Sequence, residues 1–99
     1  MNTTTFAEFE ARAKEQGFDE VISRDWPPNS VLATHTHPFG VSARVVLGEM
    51  WLTVGDHTQH LVAGQKFELR QEEPHAERYG ALGATYWAAR RHGRRTETK

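Results

Sequence analysis

Two histidines two residues apart, His35 and His37 in Ala33-Thr34-His35-Thr36-His37-Pro38, are the groups whose type and spacing first suggest chemistry. Side chains of an extended strand alternate with a period of two, so both imidazoles would share one face and could grip one metal ion. A histidine pair is equally compatible with an ordinary hydrogen-bonded strand. The chain has no cysteine, which excludes disulfides, thiolate nucleophiles and thiolate ligands, so any metal must be held by nitrogen and oxygen. His57 and His60 flank a turn after Gly55-Asp56 and are expected in solvent, and His92 is expected to be free. Glu49 is expected at an exposed strand end. Ser23, Ser30 and Ser42 lack the strand-turn-helix setting of a hydrolase nucleophile, and no glycine-rich phosphate loop is present.

The elements that must position these histidines are mostly short strands. Thr5-Phe6-Ala7-Glu8 reads as a capping box opening a helix to Gln16, with Phe6, Phe9 and Ala13 on one face and Gly17 as a left-handed stop. Phe18 to Trp26 follows as a strand, ended by Pro27-Pro28-Asn29. Further strands are expected at 30–35, 39–47, 49–54, 60–62, 66–69, 75–79 and 84–91, separated at Gly48, Gly55-Asp56, Ala63-Gly64, 71–74 and 80–83. Such a series points to an antiparallel sandwich or barrel. Met50, Leu52 and Val54 would share its inner face with Phe67 and Leu69, leaving Lys66, Glu68 and Arg70 in solvent and no buried amine for Schiff-base chemistry. Three tryptophans, Trp26, Trp51 and Trp87, exceed what a small interior holds, so at least one is expected on an outer face or a subunit contact.

One domain is expected from 99 residues: a helix over 1–17 packed on a barrel over 18–91, and a flexible basic tail over 92–99. A net charge of −1 gives no general attraction to nucleic acid or anionic lipid. The amino terminus lacks the basic and apolar regions of a signal peptide and no apolar run reaches membrane length, so the expected location is the cytoplasm.

At this point the chain resembles the cupin superfamily of small β-barrels. That family's first motif runs G-x5-H-x-H-x3-4-E-x6-G and its second G-x5-P-x-G-x2-H-x3-N. His35, His37 and Gly48 fall on the two histidines and closing glycine of the first, in the shorter spacing, with Asn29 at its opening glycine. Gly64 and His75 fall on the first glycine and the histidine of the second. The departures are Val41 at the ligating glutamate, Arg70 and Glu72 at the internal proline and glycine, and Tyr79 at the asparagine.

The resemblance implies a mainly all-β, cupin-like antiparallel β-barrel or jelly roll with a short N-terminal helix. It implies one divalent transition metal (zinc, iron, nickel, copper or manganese) on three imidazoles, those of His35, His37 and His75. With Val41 unable to coordinate, the site should be open and positively charged, favouring a small anionic ligand. Period two from His75 puts Glu77 and Tyr79 on its face. Glu77 would be a replacement ligand, a carboxylate orienting an imidazole, or a general base, and Tyr79 a donor to a bound anion; a solvated rim and a barrel lining are the bland alternatives. The functions implied are a metalloenzyme of dioxygenase or isomerase type, or a non-catalytic small-molecule-binding or sensory module. A homodimer is the expected assembly for an open barrel of this size.

Overall fold

The computed structural model describes residues 4–92. The only helix among them, α1 (Phe6–Glu15), begins with the expected capping box: Thr5 Oγ1 accepts from the Glu8 amide and Glu8 Oε1 from the Thr5 amide, each at 3.1 Å. Gly17, at φ 92, ends it. Phe6 and Phe9 lie against Trp87 at centroid distances of 5.6 and 5.7 Å, so one tryptophan does cover an outer face, beneath the helix.

Six strands follow: β1 (Glu20–Trp26), β2 (Val31–His35), β3 (Gly40–Val54), β4 (His57–Val62), β5 (Lys66–Leu69) and β6 (His75–Arg91). All pairings are antiparallel. The long strands β3 and β6 pair with each other along both halves. At one end they are flanked by β1 and β5, and at the other by β2 and β4. The result is two four-stranded halves sharing their central strands, with one core between them that includes Val45, Met50, Leu52, Phe67, Leu69 and Tyr79.

The breaks expected at Gly48 and at 80–83 are therefore corrected: the glycines bend β3 and β6 without ending them. Gly48 (φ 76) and Gly83 (φ 73) are packed so closely that a Cβ on Gly48 would lie 2.1 Å from the Gly83 carbonyl oxygen. Only glycine combines that backbone with that approach. The bends also shift the alternation of each strand. On β3 the buried positions are Val41, Ala43 and Val45, then Met50 and Leu52. Register slips at Val45/Leu47 and Gly48/Met50 account for the change of parity. On β6 the inner face runs His75, Glu77 and Tyr79 before the bend, and Ala84, Tyr86 and Ala88 after it.

His92 is not free: its backbone N–H donates to Asp19 Oδ2 at 2.7 Å, and its ring lies 2.9 Å from Glu20 Oε1, holding that carboxyl below its usual range. The remainder of the expected tail, 93–99, lies outside the described residues. Among the described residues no helix is long and apolar enough to cross a membrane.

Candidate metal centre

His35 closes β2 and stands opposite His75, the first residue of β6. The expectation that His35 and His37 share one strand face is corrected: His37 is not part of the strand. It lies beyond the end of β2, and its position is set by the loop. The Glu72 amide donates to the His37 carbonyl at 2.8 Å, and the Gln71 side-chain amide donates to the Pro38 carbonyl at 3.3 Å. Glu72 holds φ 61, as does Asn29. These are the two positions where the motif's glycines are replaced, and both keep the left-handed backbone that glycine would adopt freely. At Glu72 that strain accompanies the contact that fixes a site residue.

The three imidazoles converge, with one ligand atom from each lying within 4.8 Å of the others. Two tautomers follow from their neighbours. His35 Nδ1–H donates to the Ala33 carbonyl at 2.7 Å and His75 Nδ1–H to the Glu73 carbonyl at 2.9 Å, since a carbonyl oxygen can only accept. Each ring therefore turns a bare Nε2 into the site, the arrangement that orients metal-ligating histidines. The His75 side chain is fully buried and its Nε2 has no hydrogen-bond partner among the described residues. Such an atom is costly unless something binds it. His37 stacks on Phe39 at 4.7 Å, nearly parallel. Burial pushes its pKa down to about 4, and His75, His35 and Arg90 add to the shift by opposing a further positive charge.

With Val41 unable to coordinate, the carboxylate placed to replace it is the one expected on the face of His75. Val41 is a buried core residue, but Glu77 supplies a carboxylate from β6. Its Oε2 lies 3.3 Å from His75 Nε2 and 3.6 Å from His35 Nε2, and only 6% of the residue is exposed, so it is no solvated rim. Glu77 Oε1 accepts from the Tyr79 hydroxyl. Tyr79 is 1% exposed and stacks on Trp26 at 5.3 Å. Burial, then the neighbouring Tyr86 and Glu77, push its phenol above the ordinary value of 10, so it remains a donor. Tyr86 is shifted up for the same first reason, with the Glu77 carboxylate adding to it.

His57 and His60 stay outside this cluster. His60 is exposed on the outer face, bonded to Glu49 at 2.8 Å and stacked on Trp51, whose other neighbour is the Arg78 guanidinium at 3.9 Å. Two residues next to the site escaped the sequence reading, Arg24 and Arg90. Both line a partly open cavity of about 30 Å³ together with His37 and Glu77. Period two already places Arg24 with Ile22 and Trp26, and Arg90 with Ala88, but alternation alone does not show that the two strands bring them to one cavity.

No protein-family model and no curated protein matches this sequence. Solved structures match it by shape. A structure of the DMSP lyases RdDddP and RnDddQII superposes with a TM-score of 0.66 at 21% identity, covering 72% of this chain and 37% of that one. An RmlC-like cupin from Shewanella frigidimarina gives 0.66 at 19%, covering 75% and 66%. A protein of unknown function from Rhizobium leguminosarum bv. viciae gives 0.65 at 15%, covering 92% and 96%. This chain thus spans about a third of the lyase and just under two thirds of the Shewanella protein, and nearly the whole of the Rhizobium one. At these identities the likeness is one of fold.

Proposed function

We propose that this chain, whose fold is that of the cupins, holds one divalent transition metal on His35, His37 and His75, with Glu77 as carboxylate ligand, and acts there on a small anionic metabolite. The observation that carries the reading is the pair of backbone-locked tautomers, which leaves the Nε2 atoms of His35 and His75 bare and that of His75 buried without a partner. The donor set of imidazole nitrogen and carboxylate oxygen suits zinc, iron(II), nickel, copper or manganese. A bound ion would supply Lewis acidity at a ligand oxygen. The protein's own part is to present the lone pairs, to offset one positive charge with Glu77, and to hold Glu77 in place through the Tyr79 hydroxyl.

Elemental analysis of untagged protein tests this reading. Near-stoichiometric metal is expected, and His75→Ala should lose it; equal metal in parent and variant would refute the ligand set. Glu77→Gln should lower the metal content. Full metal content with impaired turnover would instead make Glu77 a general base. Incubating the loaded protein with metabolite pools separates enzyme from binding module, since a catalyst consumes a compound and a sensory module only saturates with it. The match to a structure of lyases supports the catalytic reading.

A further inference from the structure

The cavity beside the histidine cluster carries positive charge that a metal centre leaves unused. Arg24 on β1 and Arg90 on β6 both line it, on the same wall as Ile22 and Ala88 and beside His37 and Glu77. Each guanidinium is held over an aromatic ring, Arg24 at 4.9 Å from Trp26 and Arg90 at 4.5 Å from Phe39. Stacking of this kind fixes the guanidinium plane while leaving its N–H edge free to donate. Neither cation is fully neutralised. Arg90 meets Glu20 at 3.7 Å, beyond hydrogen-bond length, and Glu20 is already bonded to His92 at 2.9 Å. Arg24 makes no ion pair among the described residues. Two guanidiniums on one small cavity leave N–H donors that a shared anion can accept from.

We infer that Arg24 and Arg90 together receive the carboxylate of a small organic acid, whose other end points to His37 and Glu77. This rests on the reading of the histidine cluster as the reacting end of the cavity. Three features choose a monocarboxylate over a larger or more highly charged anion. The planar fork of arginine matches the two oxygens of a carboxylate. The cavity of about 30 Å³ limits the ligand to a few heavy atoms. Glu77 on the same cavity disfavours a dianion such as phosphate.

The test is an amide chemical-shift titration of the full chain, metal-free and metal-loaded, with acetate, with acetamide as the neutral analogue of the same shape, and with inorganic phosphate. Acetate should shift the amides of Arg24, Tyr86, Ala88 and Arg90 saturably in both forms, acetamide should not, and phosphate should bind more weakly. Arg24→Gln should weaken acetate binding by about tenfold or more, and Arg24→Lys by less, because a point charge replaces the fork. Equal binding of acetate and acetamide, tighter binding of phosphate, or unchanged affinity in Arg24→Gln would each overturn the proposal. Acetate binding only to the loaded form would assign the anion to the metal, refuting the arginine receptor while leaving the metal centre standing. If Arg24→Gln does not fold, Arg24→Lys and Arg90→Lys decide by the same measurement.

Discussion

Replacing Tyr79 by phenylalanine isolates one bond at the centre of the site. The ring that stacks on Trp26 is kept, so the packing contribution changes little, and only the hydroxyl that donates to Glu77 Oε1 is removed. A hydrogen bond to a charged group contributes about 1.5–3 kcal/mol, and its loss leaves a buried carboxylate oxygen without its donor. For a domain of this size each kcal/mol shifts Tm by roughly 4–8 °C, so metal-free Tyr79→Phe should melt about 6–24 °C below the parent. The assay is calorimetry or far-ultraviolet circular dichroism on metal-free protein, followed by a double-mutant cycle with Glu77→Leu. In the Glu77→Leu background the same substitution should cost almost nothing, giving a coupling above about 1 kcal/mol. A Tm shift of less than about 2 °C, or additive effects in the cycle, would refute the view that Tyr79 holds Glu77 in place.

Other outcomes follow from the same structure. His37, with its pKa pushed down to about 4, should stay neutral in the folded metal-free protein at pH values where an unfolded imidazole near 6.5 is protonated. Its contribution to stability is thus complete above about 6.5 and lost as pH falls toward 4; an NMR titration placing the His37 midpoint near 6.5 would contradict this. Gly83→Ala forces a left-handed backbone at a cost of about 1–2 kcal/mol and sets a Cβ 2.3 Å from the Trp26 carbonyl oxygen. Its denaturant midpoint should fall sharply, and a parental midpoint would remove the bend from the account. The homodimer proposed from the open sheet edges should appear in light scattering as twice the chain mass, and Val31→Lys on the exposed edge strand β2 should reduce it to one; a parent that is already monomeric refutes it.

The helix and its capping box, the inner faces of β3 and β5, and the shared face of His75, Glu77 and Tyr79 were legible in the sequence, because each depends on local periodicity or a local hydrogen bond. Three features were not. Gly48 and the glycines at 80–83 read as chain breaks, since a bend within a paired strand and a turn between strands use the same residue. The partner's register decides between them. The charge of the site was only partly legible. Val41 marks a missing carboxylate, but that Glu77, on the face of His75, also comes within 3.6 Å of His35 Nε2 depends on how β2 pairs with β6. Arg24 and Arg90 reach the site through tertiary approach of β1 and β6, which no single stretch of sequence displays.

The change of alternation at the bend of β6 makes the length of 80–83 a matter of chemistry as well as architecture. Before it the odd-numbered residues His75, Glu77 and Tyr79 face inward, and after it the even-numbered Tyr86, Ala88 and Arg90 do. Deleting one residue there would leave each half able to form strand but would put the halves out of phase. With the metal half seated, the arginine would turn to the outer face; with the arginine seated, the histidine and glutamate would. A single-residue deletion at the bend would thus divide the reacting end of the cavity from its anion-binding end. Gains and losses of chain length should be tolerated in the turn at Gly55-Asp56 and excluded at 80–83.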